Sequence, residues 1–253
     1  MRIGIIGTGH LAANMVEGWM RDPEKRPDIT LSPRNAAVAG KLAERFDLRI
    51  AAGNQDVVDA SDIVVLACRP AQAVAALEGL TWRPGQHLVS VCAGVPLAVL
   101  SASGAEPCRA MPLTASRIGE SPTILFPDLP PVRAALAALG PVIAVADEAA
   151  FEIASVDAAL YGWVFALIGE MSDWSAQSGL DPVIARHLTA HVFRAATGMV
   201  LKHPGAPLPE LLDELATPGG ITELGLGELS EREALEAWRA AADRVLDRLR
   251  GRG

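Results

Sequence analysis

MRIGIIGTGHLAANMVEGW, residues 1–19, is the stretch that decides the fold. Arg2-Ile3-Gly4-Ile5-Ile6 is a short apolar run, rich in β-branched side chains. That composition suits a strand buried on both faces of a parallel sheet. Gly7-Thr8-Gly9-His10-Leu11-Ala12 follows without a spacer and spells G-x-G-x-x-A, and Ala13 to Met20 reads as a helix. Gly7 permits a tight turn, Gly9 lets backbone approach a pyrophosphate, and Ala12 lets the helix pack closely on the strand. At His10 and Leu11 the free N–H groups and positive dipole end of the helix face the phosphates. Strand, glycine turn and helix in this order predict a dinucleotide site, the alternative being a glycine-rich turn without a ligand.

Working outward, Asp28-Ile29-Thr30-Leu31-Ser32 reads as a second strand whose tip runs into Pro33-Arg34-Asn35. A carboxylate here would hold the ribose 2′-OH of NAD(H), whereas a 2′-phosphate needs a neutral donor and a cation. Ser32 and Arg34 supply a hydroxyl and a guanidinium and no acid stands between them, which favours NADP(H) over NAD(H). Arg34 as a plain exposed loop charge is the other reading. Ala36 to Phe46 has helical spacing and Arg49 to Ala52 fits a short strand. Asn54 opens a helix that N-capping alone would explain. Asp62 to Ala67 is a fourth strand, stopping at Cys68-Arg69-Pro70, with Pro70 at the first position of the next helix. His87 to Val91 is a fifth, leading into Ala93 and Gly94. The carboxyl ends of such strands line a cofactor crevice, so Asn54, Cys68, Arg69, Pro70, Ala93 and Gly94 join the candidate cofactor residues.

Helix Val132 to Leu139 and strand Pro141 to Val145 complete an α/β layer, a Rossmann-type doubly wound sheet over residues 1–146. From residue 147 to 253 the texture is helical, with breaks at Pro204-Gly205-Ala206-Pro207 and Thr217-Pro218-Gly219-Gly220. Of the 253 residues half are hydrophobic, and the net charge is −8, which argues against a nucleic-acid partner. Three cysteines without ligand spacing point to a reducing compartment. The first strand starts at residue 2, which leaves no room for a signal peptide. The most apolar windows, Ile153 to Ile168 among them, carry charges or are too short for a bilayer. The expectation is a cytoplasmic protein without a membrane partner.

Several landmarks together resemble the pyrroline-5-carboxylate reductase family. Its V-K-P is similar to Cys68-Arg69-Pro70, its A-G-V to Ala93-Gly94-Val95, and its R-x-M-P-N to Arg109-Ala110-Met111-Pro112-Leu113. Its S-P-G-G-x-T, the most specific of these, resembles Thr217-Pro218-Gly219-Gly220-Ile221-Thr222. The resemblance implies an N-terminal dinucleotide domain and an all-α C-terminal dimerisation domain forming a homodimer or higher homo-oligomer. It implies reduction of a cyclic imine to proline with NAD(P)H, the small anionic substrate held at Gly219, Gly220, Ile221 and Thr222. The physics is consistent, since a helix N-terminus is an anion site and glycines expose their amides; an ordinary glycine break before a helix is the alternative. The departures fall on the substrate side. The family's S-G-S-G-P-A-Y loop corresponds here to Asp157 to Trp163, and Leu113 replaces an asparagine.

That altered segment carries Tyr161, the one tyrosine of the chain. If it is helical, Asp157 and Tyr161 share a face at i, i+4, making Tyr161 a candidate proton donor beside Thr222. Packing of Tyr161 in a dimer core, with Asp157 as a cap, is the competing reading. His187 and His191 also stand at i, i+4, but without a third ligand no metal site is expected. A chain of the same fold with lost catalysis, or a reductase of another small carbonyl or imine acid, are the alternatives the sequence leaves open.

Overall fold

The computed structural model describes residues 1–252. Its elements run β1 (Arg2–Ile6), α1 (His10–Trp19), β2 (Asp28–Leu31), α2 (Ala36–Phe46), β3 (Arg49–Ile50), α3 (Asn54–Ala60) and β4 (Ile63–Leu66). Next come α4 (Ala73–Leu77), β5 (His87–Ser90), α5 (Leu97–Ser101), β6 (Glu106–Met111), β7 (Thr123–Phe126), α6 (Pro130–Leu136) and β8 (Val142–Ala144). Helices complete the chain: α7 (Glu148–Ala154), α8 (Asp157–Gln177), α9 (Pro182–Lys202), α10 (Leu208–Asp213), α11 (Ile221–Glu231) and α12 (Ala234–Leu249).

The eight strands form one sheet in the order β3-β2-β1-β4-β5-β6-β7-β8. Every pair is parallel except β6–β7. The order reverses between β1 and β4, the point where doubly wound sheets open a ligand crevice at the carboxyl ends of their strands. Apolar runs in β1 and β4 make this possible: Ile3, Ile5, Val64 and Leu66 are at most 1% exposed, because helices cover both faces. One core layer packs α1 and α6 on the sheet through Met15, Val16, Leu136 and Leu139. The other packs α3, α4 and α5 through Val57, Leu77 and Leu100.

The sequence reading placed most of these strands but treated Cys108 to Pro112 only as a motif. There the chain forms β6, buried from Cys108 to Met111, where Pro107 and Arg109 interrupt the apolar pattern that marks the other strands. The helix expected over Glu148 to Gln177 breaks at Ser155, whose Oγ donates to the Phe151 carbonyl at 2.7 Å.

The chain divides into two compact units, Met1–Ala158 with the residues from 246 onward, and Ala159–Val245. Helix α7 and the chain's end, both expected with the helical domain, therefore pack with the sheet. The cause is local: Phe151 is 1% exposed and clusters with Met111 and Ile124. The second unit is almost all surface. Ser172 and Ala185 are its buried residues, while Phe165, Trp174, Leu188 and Val192 stay more than half exposed. By length and composition alone the run Glu148–Gln177 passes as a membrane span, on an 18-residue window of mean hydropathy 1.5. Of the expectation that such windows carry charges or are too short, the length half is corrected, while Glu152 and Asp157 stand inside the run as charges.

Candidate active site

In the sheet unit the glycine turn is built as its sequence demands. Gly7 has φ +96°, and a Cβ there would lie 2.8 Å from the Cys68 nitrogen and 2.9 Å from the Ala67 carbonyl, so any other residue would collide with the end of β4. Gly9 stands at the N-cap of α1 without a side-chain cap, and the first bond to its carbonyl comes from Ala13 N–H at 3.0 Å. The amides of His10, Leu11 and Ala12 are thus the open donors of the first turn. His10 itself is exposed, Leu11 is half-buried and Ala12 is buried against the sheet. This cradle fits the diphosphate of a dinucleotide: donors converge on it, and a side chain at Gly7 would destroy it.

Ser32 and Arg34 separate in role. Ser32 is fully buried, and its Oγ accepts from the Gly7 N–H at 3.0 Å. The direct 2′-phosphate contact expected of Ser32 is therefore corrected: its hydroxyl props up the glycine turn from inside. Arg34 is exposed and has no ion pair among the described residues. Asn35, absent from the sequence candidates, adopts φ +62° and donates from Nδ2 to the Thr8 carbonyl at 2.9 Å, tying the β2–α2 loop to the glycine turn. An Asn before a helix is its only trace in the sequence. At Asn54 the N-capping reading is corrected. Gly53 takes the N-cap position, and Asn54 Nδ2 donates to the Ala76 carbonyl at 3.0 Å, which joins α3 to α4.

Pro70, Ala93 and Gly94 come together at the carboxyl ends of β4 and β5, on the wall of a cavity of about 1000 Å³. Arg69, just before Pro70, is exposed, and Cys68 is half-buried. The same cavity is lined by Glu152 of α7 and by Arg250, whose Nε lies 3.7 Å from Glu152 Oε2. Behind it, Arg109 of β6 is 2% exposed. It donates from Nη1 to Glu148 Oε1 at 2.6 Å and lies 4.4 Å over the Phe151 ring. Glu148 Oε1 also accepts from the Leu97 N–H at 2.7 Å. A cation this deep needs both the carboxylate and the ring face to offset lost hydration, so Arg109 is a brace, pinning α7 to the sheet.

The second unit holds the expected substrate residues. Gly219 has φ +73°, and Gly220, at the N-cap of α11, has no room for a Cβ, which would meet Thr217 Oγ1 at 2.6 Å and the Thr217 carbonyl at 2.8 Å. Two of the expected amides are already engaged. Gly219 N–H donates to Glu223 Oε2 at 2.6 Å and Gly220 N–H to the Thr217 carbonyl at 2.8 Å. Donation to an incoming anion therefore falls to Ile221, Thr222 and Glu223, the opening residues of α11, whose N–H groups lack intrahelical partners. The turn already binds a carboxylate, its own. Tyr161 lies in the first turns of α8, half-buried, edge-on to Phe165 with ring centroids 4.9 Å apart. The altered segment is thus helical, the condition under which Asp157 and Tyr161 share a face. His187 and His191 follow one another along α9 with rings 6.3 Å apart; no group of three possible metal ligands occurs among the described residues.

Comparison with known proteins matches both parts of this architecture. Residues 2–94 match the family described as NADP oxidoreductase coenzyme F420-dependent, and residues 149–251 match pyrroline-5-carboxylate reductase dimerisation. The pyrroline-5-carboxylate reductase of Pseudomonas aeruginosa is 28% identical over 239 residues, covering 89% of this chain and 87% of its own length. The structure of 1-pyrroline-5-carboxylate reductase from Streptococcus pyogenes shares the fold at a TM-score of 0.86 and 23% identity, covering 99% of this chain and 98% of that one. That of Plasmodium falciparum pyrroline carboxylate reductase with NADP bound does so at 0.85 and 19%, covering 100% and 98%. The two domain matches and these relatives support an NAD(P)H-dependent oxidoreductase acting on a carbon–nitrogen double bond, with a helical dimerisation domain. Within that class the dimerisation-domain match and relatives 26–28% identical over most of the chain support membership of the pyrroline-5-carboxylate reductase family.

Proposed function

We propose that the protein reduces a small cyclic imine bearing a carboxylate, pyrroline-5-carboxylate or a close relative of it, with NADPH. The reading gives the cofactor to the sheet unit, 1–158 with 246–252, and dimerisation and substrate to the helical unit, 159–245, working as a cytoplasmic homodimer without nucleic-acid or membrane partners. The observation that carries it is the uncapped start of α11 behind Gly220, where Thr222 adds a hydroxyl to the open amides.

The dinucleotide, when bound, supplies hydride for the imine carbon. The chain's own residues do the rest. The glycine cradle of Gly7 and Gly9 orients the diphosphate, with Arg34 donating two parallel hydrogen bonds to the 2′-phosphate. Pro70, Ala93 and Gly94 form the wall at the ends of β4 and β5. Ile221 and Thr222 hold the substrate carboxylate after Glu223 has swung away from the Gly219 amide. Thr222 Oγ1 or the Tyr161 phenol supplies the proton that the imine nitrogen takes up.

Two substitutions at one turn test this with opposite signs. Thr222→Val keeps the branched shape and removes the hydroxyl, and it raises KM for the imine carboxylate by about tenfold, the loss of one hydrogen bond to a charged group. Glu223→Gln removes the competing charge and lowers KM severalfold. NADPH affinity stays unchanged in both. A parallel loss of NADPH binding, or KM values that ignore both changes, would place the carboxylate elsewhere.

A further inference from the structure

We infer that Cys68 and Cys92 form a peroxide-reactive dithiol pair, closing reversibly into a disulfide at the carboxyl ends of β4 and β5. The strand register brings them together. Leu66 and Ser90 are the last paired residues of parallel neighbours, closed by the Val91 N–H to Leu66 carbonyl bond at 3.0 Å. Two residues beyond the last residue of each strand, Cys68 and Cys92 stand side by side where the ladder ends. Neighbouring strands lie about 4.8 Å apart, inside the Cα separation of roughly 4.4–6.8 Å that a disulfide spans. Cys92 Sγ in fact lies 3.2 Å from the Cys68 carbonyl and 3.4 Å from that of Leu66.

The two thiols are unequal, which gives each a part. Cys68 is half-buried and Cys92 buried. A hydrogen bond from Cys92, aided by the Arg34 charge, holds the Cys68 thiol down to about 7, whereas that same bond and burial push the Cys92 thiol up. Cys68 is the attacking thiolate and Cys92 the resolving thiol. The Cys68 thiolate attacks a hydroperoxide oxygen; the O–O bond breaks, water leaves after taking a proton, and Cys68 becomes a sulfenic acid. The Cys92 sulfur then displaces the sulfenic hydroxyl, its proton leaving with it as a second water, and the S–S bond forms. Overall, two thiols and one hydrogen peroxide give one disulfide and two waters. Cys108, fully buried in β6 with its thiol pushed up to about 12 by burial, is the internal control.

The test is mass spectrometry of the full-length reduced protein treated with hydrogen peroxide, followed by peptide mapping. The wild type loses the mass of two hydrogens, the Cys68 and Cys92 peptides become linked, and dithiothreitol reverses the change. Cys92→Ser instead leaves a Cys68 sulfenic acid that dimedone captures, and Cys68→Ser leaves Cys92 unreacted. A linkage through Cys108, no linkage in the wild type, or no dimedone adduct on Cys92→Ser would overturn the assignment. The wild-type map requires no variant to fold.

Discussion

The sheet unit and the helical unit are apolar in similar proportion and treat that sequence in opposite ways. In the sheet unit Ile3, Ile5, Leu66 and Leu88 are sealed between two layers of helices. In the helical unit Leu188, Val192, Phe165 and Trp174 face outward, and Ile221 is 91% exposed. The first is a finished fold; the second is a surface awaiting its complement, because exposed apolar area of this extent marks an interaction face. The match of residues 149–251 to a dimerisation family says what kind of complement that is, a second copy of the chain. It also accounts for α8: a helix of this apolar composition meets the same need against another helix.

The contrast can be broken at its strongest point first. Leu188→Asp combined with Val192→Asp puts two charges on the exposed face of α9, and each leucine- or valine-sized side chain is worth about 1.5–3 kcal/mol when buried. Together they weaken self-association by at least about a hundredfold, read by sedimentation as monomer, while the sheet unit still binds NADPH. An undisturbed oligomer would show that this face is not the interface. Next in size is Tyr161→Phe, which removes one hydroxyl from α8. If the phenol supplies the proton, kcat falls by a factor of about 10²–10⁴ with NADPH affinity intact; a fall of severalfold assigns Tyr161 to packing against Phe165 and leaves the proton to Thr222. The smallest effect is expected in the sheet unit. Arg34→Ala costs NADPH about 1.5–3 kcal/mol, a charge-assisted contact, and leaves NADH binding unchanged; equal losses for both cofactors would remove Arg34 from the 2′-phosphate.

The same contrast explains what the sequence made legible. Buried parallel strands write themselves as apolar runs, and the Gly7 turn is dictated by a collision with Cys68 that only glycine avoids, so the strands and glycine turn of the cofactor half were readable. Ser32 misled because a strand-tip hydroxyl looks alike whether it faces ligand or turn; burial decides, and burial is a tertiary fact. Asn35 and Arg109 were missed for a related reason, since their partners, Thr8 and Glu148, lie far along the chain. At Gly219 and Gly220 the motif identified the turn, but the competition from Glu223 depends on a side-chain direction that no spacing rule supplies. In the helical unit periodicity located the helices and left open which faces meet a partner.

The most direct measurement follows NADPH consumption and proline formation together when the purified protein meets pyrroline-5-carboxylate. The account predicts one proline per NADPH oxidised, with kcat/KM higher for NADPH than for NADH. A protein that binds NADPH yet forms no proline, and oxidises no NADPH with any of a panel of cyclic imine carboxylates, would contradict it.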